Sequence, residues 1–167
     1  NQFETEFTIK ENFTSNGCDD VKFMISTNIG EPVKPLSKVA SGGELSRIML
    51  AVKTVMAGKE DTQTLIFDEI DAGISGRTAQ MVAKKLKSLS VNHQIICITH
   101  LPQIAAMGST HFMIEKNVIN DHTTTSIVEL DEDASIMELA RLLGGSQVTE
   151  TVMSNAREMK KLASLND

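Results

Sequence analysis

The alternation of apolar and polar residues at the start of the chain predicts β structure. Phe3, Phe7 and Ile9 alternate with Glu and Thr residues, which is the pattern of a half-buried strand. A second alternating run, Val21–Ile25, follows the turn-prone segment Ser15–Gly17. The two runs are therefore predicted to pair as a hairpin.

The next pattern is helical. Apolar residues recur at helical spacing from Leu45 to Met56, and Gly58 ends the run. Ser41 is followed three residues later by Glu44, which predicts a capping box at the start of this helix.

Two short apolar runs flank a second helical pattern. Thr64–Phe67 and Gln94–Thr99 are continuously apolar for most of their length, and the helical spacing lies over Ala79–Leu89. This order predicts a strand–helix–strand unit whose two strands are parallel and buried on both faces. Its two strands would therefore end at one edge of the sheet.

Polar side chains follow both strands at that edge. Asp68 and Glu69 come directly after the first strand, and His100 follows the second. In open α/β sheets, ligands bind at the carboxyl ends of the strands, so these three side chains are predicted to line a site.

The rest of the chain predicts a smaller set of elements. Thr110–Glu115 and Thr123–Leu130 alternate as two strands, and Ser135 with Glu138 predicts a second capping box on a helix that ends at Gly144–Gly145. A closing helix follows. The predicted fold class is α/β, with a mainly parallel sheet flanked by helices and an edge hairpin.

Composition narrows the function. The 167 residues are 41% hydrophobic and 23% charged, which is typical of one globular domain. Aromatic residues make up 4%, with no Trp or Tyr, which argues against a stacking platform for single-stranded nucleic acid. The net charge of −6 is not that of a basic nucleic-acid grip.

Cysteine usage and targeting signals favour a cytoplasmic, reducing setting. Cys18 and Cys97 are the only cysteines, and their spacing fits neither a zinc site nor a disulfide framework. Neither a signal peptide nor a membrane span is predicted. Because the chain begins with Asn1 rather than Met, we expect a fragment or a processed chain.

Ser41–Glu44 contains two glycines at the start of a helix. Free N–H groups and the helix dipole at such a position favour an anion, and glycine lets a phosphate come close. An ordinary capping box on a glycine-rich turn is the alternative interpretation.

The adjacent carboxylates of Asp68 and Glu69 suggest acid–base or metal chemistry. Asp68 could hold Mg²⁺, and Glu69 could orient or deprotonate a water molecule. The alternative is an exposed acidic strand end. His100 is a candidate because it is predicted to lie beside this pair, although a lone histidine is more often structural.

Three segments together resemble known motifs. In order, Ser41–Arg47, Thr64–Asp71 and Ile98–His100 resemble the signature motif, the Walker B motif and the switch histidine of ABC-type ATPases. The sequences of three longer stretches are most similar to bacterial DNA repair ATPases of the SMC-like family: Gly30–Arg47, Phe67–Arg77 and Ile98–Ala106.

The resemblance implies that residues 1–167 are the carboxy-terminal half of an ATPase head. The amino-terminal half, which carries the phosphate loop, and the coiled coil would lie elsewhere in the protein. The chain itself has no G-x-x-x-x-G-K-[ST] sequence, so we expect it to be inactive alone.

In that family, two heads sandwich ATP and Mg²⁺. The resemblance implies that Ser41, Gly42, Gly43 and Glu44 meet nucleotide bound to a second, identical head. It also implies that Asp68 serves Mg²⁺, that Glu69 is the general base and that His100 senses the γ-phosphate. Many heads of this type carry Asp where this chain has Ser75, which also belongs to the implied nucleotide contacts.

The implied function is ATP binding and hydrolysis that drive head dimerisation in DNA double-strand-break repair and recombination. Its partners would be a second head, the amino-terminal half and DNA, without a membrane. A structural clamp that tethers DNA with a slow ATP cycle is the main alternative. A transporter ATPase fits less well, because such domains usually carry the phosphate loop in one stretch with the signature motif. Two groups of basic residues cluster in sequence, and for each the alternatives are direct contact with DNA and a solvated helix face: Lys34, Lys38, Arg47, Lys53 and Lys59, and Lys84, Lys85 and Lys87.

Overall fold

The computed structural model describes residues 2–26, 30–38, 41–59, 61–119 and 122–165. The strands are β1 (Gln2–Thr14), β2 (Gly17–Ser26), β3 (Lys34–Pro35), β4 (Thr64–Phe67), β5 (Gln94–Cys97), β6 (His111–Ile119) and β7 (His122–Leu130). The helices are α1 (Gly42–Met56), α2 (Gly76–Leu89), α3 (Pro102–Ala105), α4 (Glu132–Gly144) and α5 (Glu150–Ser164).

These strands form three small sheets in the described residues. β1, β2 and β3 are antiparallel, β4 and β5 are parallel, and β6 and β7 form an antiparallel hairpin. The predicted α/β class is confirmed, with helices packed against the parallel pair. The parallel part is only two strands wide, and most strand residues belong to the two antiparallel hairpins.

The parallel pair aligns the strand ends as the sequence predicted. Leu65 lies opposite Ile95, and Phe67 lies opposite Cys97. Because both strands end at the same level, the residues that follow them emerge at one edge of the sheet.

The main core lies between this pair and the helices. Leu65 and Phe67 point into it from β4, and α2 contributes a buried stripe at helical spacing. A second, alanine-rich cluster joins α4 and α5, whose small side chains allow close helix packing. The first cluster consists of Leu50, Leu65, Phe67, Ile70, Val82, Ala83, Leu86, Leu89 and Ile104.

Two expectations about burial were wrong. Strand β1 is exposed along its whole length, with Phe7 68% exposed, instead of half-buried. The parallel pair is covered on one face only, since Ile66 and Ile96 remain exposed on the other. In both places the apolar pattern is present, but no other element of the described chain packs on it.

The two predicted capping boxes also need correction. Ser41 is the N-cap of α1, but its side chain makes no capping hydrogen bond. Helix α4 begins earlier than predicted, because Asp131 is its N-cap and accepts a hydrogen bond from the Ala134 N–H at 2.8 Å. Ser135 instead lies buried inside the helix, 3.0 Å from His111 Nδ1.

A membrane crossing would need a longer or more apolar helix than any found in the described parts of the chain.

Candidate functional site

The segment Asp68–Ala72, here called the acidic loop, leaves the end of β4 in a tight turn. Asp68 Oδ1 accepts a hydrogen bond from the Glu69 N–H at 2.8 Å. Glu69 has φ +55°, a left-handed conformation that is uncommon for a residue with a side chain. The Ala72 N–H donates to the Glu69 carbonyl at 3.0 Å and closes the turn. Backbone strain of this kind clusters at functional sites.

Asp71 is the polar centre of this edge. Its Oδ2 accepts hydrogen bonds from the Thr99 hydroxyl at 2.6 Å and from the His100 N–H at 2.8 Å. The same oxygen lies 2.9 Å from His100 Nδ1. Burial raises the pKa of Asp71, but these hydrogen bonds and the neighbouring imidazole outweigh it, so its pKa lies below the ordinary value.

This contact fixes how His100 faces the site. With a proton on Nδ1 donated to Asp71, Nε2 is left to meet a ligand. The His100 side chain is 72% exposed while that of Asp71 is almost fully buried, so the imidazole projects outward from a buried anchor. Asp71 lies in the stretch that resembles the Walker B motif, but no role was predicted for it from the sequence. Its position two residues after Glu69 was the available signal.

The start of α1 lies against the acidic loop. Ser41 is exposed, and its hydroxyl makes no capping bond, so it is available to a ligand. Glu44 lies in the first turn and is half-buried. The predicted anion site therefore offers the free Ser41 hydroxyl and the N–H groups at the start of α1.

Gly42 and Gly43 permit this close approach. A methyl group on Gly43 would lie 2.8 Å from the Ala72 Cβ and 2.9 Å from the carbonyl oxygens of Ala72 and Glu69. A methyl group on Gly42 would collide with Glu69 Oε2. From the sequence, both glycines were expected to allow the approach of a phosphate. For Gly43 the structure shows a second requirement, which is close contact with the main chain of the acidic loop in the same chain.

The structure therefore brings together most of the predicted site residues. Asp68, Glu69, His100 and the start of α1 share one edge. Ser75 is the exposed N-cap of α2, and its side chain makes no capping hydrogen bond. It lies beyond the acidic loop, and no hydrogen bond within the described residues joins its side chain to the others.

The donor set for Mg²⁺ is small. The described residues contain no group of three or more His, Cys, Asp or Glu side chains that could hold a metal. Magnesium in nucleotide sites is held by one or two carboxylates together with phosphate oxygens and water. The exposed Asp68 carboxylate fits that mode of binding, in which most ligands come from the nucleotide and solvent.

Cys97 does not add reactive chemistry to this edge. Burial raises the pKa of its thiol to about 12, with smaller contributions from the charges of Asp71 and Asp68. A thiol with that pKa stays protonated near neutral pH and is a poor nucleophile. Both cysteines are free thiols.

Comparison with known proteins identifies close relatives. The chain is 49% identical to the DNA repair protein RecN of Halalkalibacterium halodurans over 154 residues, which cover 92% of the chain and 27% of the relative. It is 49% identical to RecN of Bacillus subtilis and 50% identical to RecN of Vibrio cholerae, over 90% and 86% of the chain. The chain spans about a quarter of the length of these curated relatives. No family model matches the chain.

Solved structures with the same fold are ATPase heads. One comes from work on ATP-driven dimerization and DNA-stimulated activation of SMC ATPases, with TM-score 0.52 and 19% identity over 87% of this chain and 84% of that chain. Another is the Smc head domain with a coiled coil and joint derived from Pyrococcus yayanosii, with TM-score 0.56 and 22% identity over 82% of this chain and 25% of that chain. At these identities the comparison establishes the fold, and it confirms the SMC-head resemblance of the sequence.

Proposed function

We propose that this chain, which belongs to the RecN family as a segment with the fold of an SMC-type ATPase head, supplies part of a composite ATP-hydrolysing site. It would be the carboxy-terminal half of the head, with the phosphate loop provided by another part of the same protein. Hydrolysis would control head dimerisation in the repair of DNA double-strand breaks, in a cytoplasmic, nucleoid-associated protein.

One observation carries this proposal. The parallel register of β4 and β5 brings Asp68, Glu69 and His100 to one edge, where the start of α1 also lies. Phosphoryl transfer is catalysed mainly by positioning and charge stabilisation, and this edge offers a carboxylate, an imidazole and a helix N-terminus.

Each side chain has a role in this proposal. Glu69 would accept the proton of the water that attacks the γ-phosphate in line. His100, oriented by Asp71, would donate a hydrogen bond from Nε2–H to a γ-phosphate oxygen. Asp68 would hold Mg²⁺, which neutralises phosphate charge when bound.

The signature segment would act on a second nucleotide. Ser41, Gly42 and Gly43 would bind the γ-phosphate of ATP held by a second head, with Glu44 and Ser75 beside it. The uncommitted Ser41 hydroxyl supports this role, because nothing within its own helix uses it. A symmetric dimer would then contain two equivalent composite sites.

The uncovered apolar surfaces support the proposed amino-terminal partner. Ile66 and Ile96 leave one face of the parallel pair open, and Leu45, Met49 and Val52 form an exposed stripe along α1. Contiguous apolar surface of this kind usually marks an interface. The larger part of the protein, inferred from the length of the relatives, is the natural source of that cover.

The test uses the full-length parent protein with substitutions at the positions numbered here. Glu69→Gln should lower kcat for ATP by about 10²–10⁴-fold and leave ATP binding intact, because the amide cannot accept the proton. Glu158→Gln removes an exposed glutamate from α5 and is the matched control. Unchanged turnover in Glu69→Gln would remove Glu69 from the reaction.

Mixing two inactive variants tests the division between heads. Ser41→Arg should block the signature segment, and Glu69→Gln should block the base. In a mixed dimer one composite site is intact, so an equimolar mixture should regain about a quarter of the normal turnover if subunits exchange and sites act independently. Turnover no higher than that of the separate variants would contradict a site shared between heads.

A further inference from the structure

Arg47 links α1 to the acidic loop through hydrogen bonds of its side chain. Its Nη1 donates hydrogen bonds to the Ile70 carbonyl at 3.1 Å and to the Ala72 carbonyl at 2.8 Å. We propose that Arg47 is a positioning residue, which holds Glu69 in its reactive place by clamping the main chain that follows it. This inference rests on the proposed function of Glu69.

The main chain around Glu69 needs such support. A left-handed backbone is unfavourable for a residue with a side chain, so it persists only where its surroundings enforce it. The carbonyls of the two residues that flank Glu69 both accept hydrogen bonds from side chains of α1. Arg47 donates to the Ile70 carbonyl, and the Ser46 hydroxyl donates to the Asp68 carbonyl at 2.8 Å. The Ile70 side chain is fully buried and anchors the loop in the core.

The guanidinium suits this task better than a neutral donor. Hydrogen bonds from a charged donor are roughly twice as strong as neutral ones. Arg47 is half-buried, so water competes less for the two carbonyls. Arg47 Nη1 donates to the carbonyls of both Ile70 and Ala72. These two bonds fix the curvature of the turn that begins at Glu69.

The same bonds join two functional segments. Gly43 packs directly on Ala72 and on the Glu69 carbonyl, so the start of α1 and the acidic loop are held as one unit. A phosphate that engages Ser41–Gly43 would therefore act on the position of Glu69 through Arg47. The signature segment serving one nucleotide would thereby be coupled to the base serving the other.

The experiment measures ATP turnover and thermal stability of the full-length parent protein with Arg47→Met and Arg47→Lys. Displacement of a reacting group by about 1 Å costs on the order of 10²-fold, so Arg47→Met should lower kcat at least ~10-fold with little change in KM for ATP. Arg47→Lys keeps one charged donor and should recover part of kcat. Lys85→Met removes an exposed charge from α2 and is the control.

The outcomes separate this inference from the proposed function. If Glu69→Gln leaves turnover unchanged, the proposed function fails. If Glu69→Gln abolishes turnover while Arg47→Met keeps the normal kcat, the positioning role of Arg47 is overturned, whether or not the melting temperature falls. If Arg47→Met does not fold, Arg47→Lys decides, measured below its melting temperature. A lowered kcat at unchanged KM supports positioning, and a normal kcat overturns it.

Discussion

The acidic loop and the β1–β2 hairpin differ in how firmly the rest of the described chain holds their residues. In the loop, Glu69 and Asp71 are held by hydrogen bonds and by close main-chain packing against α1. In the hairpin, strand β1 is exposed along its whole length although its pattern is that of a half-buried strand. Phe3 and Phe23 stack on each other with ring centroids 5.7 Å apart, but both remain more than half exposed.

This difference separates a polar edge that the described residues complete from an apolar strand that they leave uncovered. The polar edge is organised by contacts among residues 41–47, 68–72 and 99–100, all of which lie in this chain. Strand β1 of the hairpin has apolar side chains that nothing in the described residues covers. The geometry of the polar edge is therefore set by contacts within this chain, whereas the apolar side chains of β1 stay uncovered among the described residues.

The largest loss of unfolding free energy is expected from Gly43→Ala, at the contact between α1 and the acidic loop. The new methyl group would meet main-chain atoms of Glu69 and Ala72 at 2.9 Å, which cannot move without opening the turn. Overpacking of this kind costs about 1–3 kcal/mol, partly offset by the better helix propensity of alanine. Urea denaturation of the chain should show this loss of unfolding free energy.

Gly42→Ala is the matched control. Its methyl group would meet only the far end of the Glu69 side chain, which can rotate away. Its stability should stay near normal, because a helical alanine is intrinsically favourable. Equal destabilisation by both substitutions would mean that the main-chain contact of Gly43 does not hold the loop.

A smaller effect is expected from Asp71→Asn. The amide keeps the shape but loses the charge that strengthens three contacts, so stability at neutral pH should fall by about 1–2 kcal/mol. Because the folded pKa of Asp71 is lowered, its contribution is present above the unfolded value of 3.8 and is lost as pH falls through the folded pKa.

Denaturation of both proteins across the acid range checks this sign. The stability difference between wild type and Asp71→Asn should be full near neutral pH and should shrink below pH 3.8. A difference that stays constant down to low pH would show that the Asp71 charge contributes nothing to the fold.

The sequence predicted the strand edge well because its signal is local. Apolar runs that stop at Asp68 and His100, with a helix between them, specify a parallel pair and the meeting of the strand ends. The order of helices and hairpins was predictable for the same reason. The predicted start of helix α4 was wrong because its N-cap is Asp131 and not Ser135.

The remaining features depend on contacts between segments far apart in sequence. The pairing of Asp71 with His100 joins residues 29 positions apart, and Arg47 reaches Ala72 across 25 positions. No rule based on the spacing of residues along the sequence predicts such contacts. The exposure of β1 was unpredictable for a different reason, since alternation shows which face of a strand is apolar but not whether another layer covers it.

The most direct test of the contrast is amide hydrogen exchange of the acidic loop and of β1–β2, measured in this chain alone and in the full-length parent protein. Exchange reports local opening and hence local stability. We predict that the amides of Glu69 and Ala72 are protected to a similar degree in both, and that those of β1 become strongly protected only in the parent. Equal protection of β1 in the two proteins would contradict the account.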